Sequence, residues 1–368
     1  MKIIEKIFDT SVTVLEGTFK LGLEMAETAF SGIPKKKQGY NATFTSPWTL
    51  FSSRNYGFCL IGNGKNLSAK NSYTNALVVG GTGVGKSSVV LIPSLYTMKG
   101  SFIVHDPSSE LFQKTAGYLK KRGYEIKQLN FSKPESSSGF NPLQRANTSS
   151  EIQKVSSMLV QNALGKEGNK DAFWTNSAIA LLAMLITLLK KLDKEYQTLY
   201  QVRILLNAMG GSPEQVDQLF SKHADQNLFN EYKSFLSADD KVTSGTVATC
   251  KAALQTFSDE AIAKVTSTDT IDMLEFRNKP IALFIQNSVA DQKYYATLTS
   301  IFTEQFFSHI LSRFPSENEQ DIFFLIDEAS SLNLPTLPLA VANVRKHRSG
   351  IMLIVQDFAQ LIHNYGRF

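Results

Sequence analysis

The sequence predicts an α/β fold, a mostly parallel twisted sheet covered on both faces and interrupted by an all-α inserted domain. Three observations predict it. Short apolar runs alternate with helical stretches over residues 76–129 and again over 281–355, the pattern of parallel strands joined by crossover helices. A glycine-rich loop stands directly between the first of these strands and the helix after it. Between residues 146 and 264, runs of β-branched residues are scarce and helix formers dominate.

The elements follow in order. Residues 1–33 place Ile4, Ile7, Phe8, Leu15 and Phe19 at near-helical spacing, so an amphipathic N-terminal helix is expected. Its polar face sets Glu5, Asp9, Glu16, Glu24 and Glu27 against Lys2, Lys6 and Lys20, a balance that favours docking on protein over a membrane surface. Residues 34–75, opening with Pro34, Lys35, Lys36, Lys37 and Gly39, are expected to be a linker and lead-in. Residues 76–79 read as a strand, 87–95 as the opening of a helix, 101–105 as a strand, 110–121 as a helix and 124–129 as a third strand. The first part of the sheet domain is thus 76–145.

The insert, 146–264, carries 12 Lys/Arg and 13 acids, so attraction to phosphate is not its main means of recognition. Its apolar run, residues 178–189, falls short of the roughly 18 to 20 residues needed to cross hydrocarbon and reads as a buried helix. Phe173 and Trp174, just before it, are expected to anchor the core rather than stack on bases. Strands return at 281–285, 322–326 and 351–355, with a helix over 294–312, so 265–368 forms the second part of the sheet domain.

Composition narrows the function classes. With 368 residues, 43% hydrophobic and 19% charged, the chain can bury a sizeable core, and a disordered tail is excluded. Two cysteines, Cys59 and Cys250, exclude a disulfide framework and fit a reducing, cytoplasmic compartment. No signal core or membrane-spanning run is read in the sequence, so any membrane association is expected to be peripheral, through partners. Net charge is +5, and residues 1–145 carry 18 Lys/Arg against 9 acids while the rest carries 20 against 24. A polyanionic partner is admitted, not required. The five histidines show no metal-ligand spacing.

The chemistry concentrates in a few segments. Gly80, Gly81, Thr82, Gly83, Val84, Gly85, Lys86 and Ser87 fit the phosphate-loop pattern G-x-x-x-x-G-K-[ST]. Glycines let backbone N–H groups converge on phosphate oxygens, Lys86 would reach the β- and γ-phosphates, and the Ser87 hydroxyl would ligate Mg²⁺. A second acid for the metal stands at the end of the strand 322–326, where Asp327 would hold the Mg²⁺ shell and Glu328 would polarise the attacking water. Asp106 and Glu110 admit two readings, a nucleotide-facing pair or a helix cap with a first-turn acid. Gln356 is either a γ-phosphate or water contact or a plain strand-end polar residue. Arg345, Lys346 and Arg348 form either a solvated basic turn or the source of an arginine finger for a neighbouring subunit.

The series of pieces resembles the type IV coupling proteins, the TraG/TraD family of conjugative DNA transfer ATPases related to FtsK-like translocases. The likeness is carried by residues 77–88; by His105, Asp106, Pro107, Ser108, Ser109 and Glu110; by Thr115, Ala116, Gly117 and Tyr118 with Lys121, Arg122 and Gly123; and by Phe140, Asn141, Pro142 and Leu143. Phe173 and Trp174, then Leu325, Ile326, Asp327 and Glu328, then Gln356, Gln360, Leu361, Tyr365 and Gly366 continue it. It spans residues 42–368. The resemblance implies a RecA-like P-loop NTPase, assembling as a hexamer and coupling ATP hydrolysis with Mg²⁺ to movement of single-stranded DNA. The implied partners are a relaxase–DNA complex and a type IV secretion channel at the inner membrane. It places the phosphate loop on residues 80–88, including Ser88, the metal and catalytic acids on Asp327 and Glu328, and the γ-phosphate sensor on Gln356. The trans-acting arginine falls on Arg345, with Arg348 as fallback.

Three departures stand out. Membrane-spanning helices that open many family members are not read here. Ser108 and Ser109 replace the middle of the family's Asp-Pro-Lys-Gly-Glu motif. The chain ends 12 residues after Gln356, where the family continues, so a C-terminal truncation is expected. The leading expectation is an ATP-driven coupling protein. A recruitment platform that binds nucleotide without translocating is the alternative, and a small-molecule P-loop kinase is a third, disfavoured by the 240 residues between Ser87 and Asp327.

Overall fold

The structure, a computed structural model, describes residues 46–164, 172–287 and 290–365. The helix expected over 1–33 and the basic run at 35–37 lie outside them. Six strands form one wholly parallel sheet: β1 (Ala76–Val79), β2 (Ser101–His105), β3 (Glu125–Asn130), β4 (Ile281–Gln286), β5 (Ile322–Ile326) and β6 (Ser349–Val355). Their spatial order is β1-β6-β5-β2-β4-β3. The four inner strands are buried on both faces apart from Leu353, which is why they read as continuous apolar runs; only the edge strands β1 and β3 are partly exposed.

Each face has its own cover. On one, the wide π-type turn Ser87–Leu91 runs into α1 (Ile92–Thr97), and α2 (Glu110–Lys121) lies beside it. These helices bury Leu91, Leu95, Leu111 and Leu119 against Phe102, Val104, Phe323, Leu325, Met352 and Ile354. Of residues 34–75, read as a linker, the stretch 50–73 is part of this layer. Phe58 and Cys59 are fully buried, with their N–H groups donating to Ser72 Oγ at 2.8 Å and Ser94 Oγ at 3.0 Å. The other face is covered by the insert and by α10, introduced below.

The insert consists of α3 (Ser149–Leu164), α4 (Ala172–Leu189), α5 (Leu199–Gly211), α6 (Pro213–His223), α7 (Gln226–Leu236), α8 (Asp240–Ala253) and α9 (Glu260–Val265). Local chemistry sets their starts. Thr148 Oγ1 accepts from Glu151 N at 3.3 Å while Glu151 Oε2 accepts from Thr148 N at 2.9 Å, a reciprocal cap on α3. Helix α4 is longer than its apolar run: 18 residues of mean hydropathy 1.8, long and apolar enough by composition to cross a membrane, with 56% of it buried inside the fold. Phe173, expected as a core anchor, is 56% exposed, whereas Trp174 packs against Gly245 of α8.

Helix α10 (Gln292–Leu311) ties the insert to the sheet. Phe306 and Phe307 meet Phe324 of β5 with centroids 5.6 and 4.8 Å apart, and Phe302 meets Phe140 at 5.0 Å. One continuous core runs from the sheet through these rings into α3, α4 and α8. Each buried phenylalanine contributes roughly 1.5 to 3 kcal/mol of transfer free energy. After β5 come α11 (Leu337–Asn343) and, beyond β6, α12 (Phe358–Tyr365).

Candidate nucleotide site

Parallel pairing alone lines up the chemistry. Val79 stands opposite Val355, Ile326 opposite Leu353, and His105 opposite Ile326. Gly80 therefore emerges beside Gln356, and Asp106 beside Asp327 about two residues short of Gln356 along the strands, all at the sheet's C-terminal edge, where open α/β sheets bind ligands.

The phosphate loop leaves β1 through Gly80, whose N–H donates to Val355 C=O at 3.2 Å. Gly83 and Gly85 take φ of +81° and +84°, a conformation that costs a side chain about 1 kcal/mol or more, so the turn depends on glycine there. Gly81, Thr82, Gly83 and Val84 are exposed, and a Cβ at Gly81 or Gly83 would meet nothing within 4 Å, so the concave side is open. Lys86 Nζ donates to the carbonyls of Gly80 and Gly81, the latter at 2.8 Å. Ser88 Oγ donates to Gly85 C=O at 3.0 Å, closing the loop onto the following helical turn.

The acids face this loop. Ser87 Oγ lies 3.5 Å from Asp327 Oδ2. Burial, then the charge of Glu328, pushes the Asp327 carboxyl up to about 6, with Asp106 adding to the repulsion and Lys86 opposing it. Glu328 has φ +52°, and its N–H donates to Asp327 Oδ1 at 3.1 Å. Gln356 bridges the two sides: Nε2 donates to Glu328 Oε1 at 3.4 Å, and Oε1 lies 3.5 Å from Thr82 Oγ1.

A hydroxyl and a carboxylate this close, backed by two further acids, form a hard-oxygen donor set with excess negative charge. That fits Mg²⁺, which takes one or two protein oxygens and fills its other positions with water and phosphate. Ser87 and Asp327 are the residues that would hold it.

Asp106 takes the capping alternative. Fully buried, it accepts from Leu111 N at 3.2 Å and Phe112 N at 2.8 Å, fixing the first turn of α2, and its charge acts on Asp327. Burial raises its own carboxyl against the pull of those N–H groups. Glu110 is paired with Lys114 on the surface of α2.

Arg345 is exposed on the turn Val344–His347 before β6, at the opposite edge of the sheet from the loop. The seven residues of β6 separate the two edges by roughly 23 Å, so Arg345 cannot reach its own chain's phosphate loop. Arg348 is unsuited to the fallback role. Its Nε donates to Asp321 Oδ1 at 2.9 Å, Nη1 to Ser316 C=O at 2.8 Å and Nη2 to Glu319 C=O at 2.8 Å, which commits every guanidinium nitrogen.

Sequence reasoning passed over His105. Its Nδ1 lies 2.6 Å from Asp327 C=O, and its own C=O accepts from Asp327 N at 3.3 Å. The available signal was its place at a strand end immediately before Asp106. A cavity of about 1040 Å³ shares no lining residue with the phosphate loop; it lies between α3, α10 and residues 269–274, beside Arg145 and Arg313.

Comparisons with known proteins follow this geometry. A family model described as type IV secretory system conjugative DNA transfer matches residues 35–368. A conjugal transfer protein TraG of Sinorhizobium fredii is 26% identical over 306 residues, 80% of this chain and 47% of that protein. Protein VirD4 of Rhizobium radiobacter is 25% identical over 304 residues, 79% of this chain and 43% of that protein. The chain thus spans about half the length of the curated relatives it matches. Among solved structures, plasmid coupling protein TrwB in complex with ADP and Mg²⁺ superposes with a TM-score of 0.65 at 20% identity, over 91% of this chain and 76% of that one. TrwB with a non-hydrolysable ATP analogue gives 0.67 at 18% identity over the same shares. At these identities the likeness is one of fold, a RecA-like parallel sheet with helices.

Proposed function

This chain belongs to the type IV secretory system conjugative DNA transfer family, and we propose that it is a Mg²⁺-dependent ATPase that couples nucleotide hydrolysis to delivering DNA to a type IV secretion channel. One observation carries the proposal: the phosphate loop, Asp327, Glu328 and Gln356 converge at the C-terminal ends of three adjacent strands. TrwB, a coupling protein of the same fold, has been solved with ADP and Mg²⁺, which supports nucleotide and metal as ligands here.

The roles follow from placement. Amides of residues 80–88 cradle the phosphates, with the helical turn after Lys86 adding its positive end. Lys86 exchanges its bonds to the Gly80 and Gly81 carbonyls for phosphate oxygens. Ser87 and Asp327 hold Mg²⁺, which when bound neutralises charge on the phosphates. Glu328 orients water and draws its proton, and Gln356, touching both Thr82 and Glu328, senses the γ-phosphate. Arg345 serves the nucleotide of a neighbouring copy, which requires an oligomer, a hexamer by the family's pattern. The cargo is single-stranded DNA with its relaxase.

Steady-state ATP hydrolysis with and without single-stranded DNA tests the reading. DNA stimulates turnover, and Lys86→Ala or Glu328→Gln lowers it at least 100-fold, on the order expected for losing a charge-stabilising or proton-accepting group. Turnover indifferent to DNA, with a relaxase still captured, would replace translocation by the recruitment platform.

A further inference from the structure

We propose that His105 is a positioning residue for the hydrolytic acid, holding the Asp327–Glu328 peptide in the orientation that aims Glu328 into the crevice. Both main-chain polar groups of Asp327 are engaged by this one residue of β2. Its carbonyl accepts from Asp327 N at 3.3 Å, and its ring nitrogen Nδ1 stands 2.6 Å from Asp327 C=O. A carbonyl only accepts, so Nδ1 carries the proton and Nε2 is left bare. Nε2 is buried without a partner, so the ring makes its hydrogen bond through Nδ1.

That carbonyl belongs to the peptide whose nitrogen is Glu328 N. The orientation of this peptide sets φ of Glu328, which is +52° in a residue that is not glycine. Such a conformation is strained for a residue with a Cβ and persists only where surroundings impose it. This peptide is held by the His105 bond on one end and by Asp327 Oδ1, 3.1 Å from Glu328 N, on the other, while Ser331 N and Oγ donate to the carbonyl of Glu328 itself at 2.9 and 2.8 Å. With the carbonyl released, the peptide loses its restraint at that end and tilts about the bonds that remain, which shifts the Glu328 carboxylate from Gln356 and the water it serves. Among the described residues no hydrogen bond joins His105 to the phosphate loop or to Ser87, so nucleotide binding is expected to stay.

The inference rests on Glu328 being the hydrolytic acid, and the experiment separates the two. In the full chain, kcat for ATP and the Kd of a fluorescent ATP analogue are measured for His105→Leu, His105→Asn, His105→Gln and Glu328→Gln. Asparagine places an N–H donor where Nδ1 stands; glutamine carries it one bond further out. The expected result is kcat lowered about 100-fold in His105→Leu and His105→Gln, the scale of a misplaced catalytic group, with Kd within about twofold and His105→Asn within about fivefold of the parent in kcat. Should His105→Leu fail to fold, the contrast between asparagine and glutamine decides. Equal kcat in the asparagine and glutamine variants, or a parent rate in the leucine variant, overturns the inference while leaving Glu328 in its role. Undiminished turnover in Glu328→Gln overturns both.

Discussion

Asp327 is where the cost of the site is most visible at the scale of a single residue. Its folded value, about 6, lies above the ordinary 3.8, so ionisation works against the fold. The penalty is absent below pH ~4, grows between pH ~4 and ~6, and is complete above that, with a ceiling of about 3 kcal/mol. Protein free of metal and nucleotide should therefore lose stability as pH rises through this window. Asp327→Asn, which removes the charge, should raise the melting temperature at pH 8 and leave it nearly unchanged at pH 4. Equal shifts at both pH values would show that charge is not the cause. Stability surrendered at a site in this way is returned when a cation binds, the usual trade between fold and function.

Among the elements, the strands were the most legible. Residues 101–105 and 322–326 match β2 and β5 at both ends, because a strand buried on both faces is apolar through its middle. The phosphate loop was read from its G-x-x-x-x-G-K-[ST] pattern and the acids from their place at a strand end, and the parallel strands bring them to one edge of the sheet. What could not be read depends on partners distant in sequence. The commitment of Arg348 to Asp321 and the bond from His105 to Asp327 arise only once β2, β5 and β6 are paired, whereas the capping of α2 by Asp106 is local and was one of the two readings the sequence left open. Exposure of Phe173 was missed because aromatic residues beside an apolar run are read as core by default. In the insert, α4 and α8 approach closely at Gly245, where an added Cβ would lie 2.7 Å from the Trp174 ring. Gly245→Val should cost about 1 to 3 kcal/mol in urea unfolding by overpacking this crossing. An unchanged midpoint would mean that Trp174 can move aside freely.

For the molecule as a whole, two segments of the sheet domain, separated in sequence by more than a hundred helical residues, meet at one crevice, while the candidate finger Arg345 sits on the far edge. That arrangement makes a prediction about assembly. Lys86→Ala and Arg345→Ala chains should each be inactive alone, yet mixing them should recover part of the parent rate, since some interfaces then pair an intact phosphate loop with an intact arginine. No recovery, with mixed oligomers verified, would remove Arg345 from the site.

Equilibrium binding of a fluorescent ATP analogue, titrated with and without Mg²⁺, reaches most directly what the functional reading depends on. The parent chain should bind more tightly with Mg²⁺. Lys86→Ala should weaken binding at least about tenfold, 1.4 kcal/mol or more, and Asp327→Asn should bind equally with and without the metal. Binding that ignores both substitutions would place the nucleotide elsewhere on the molecule.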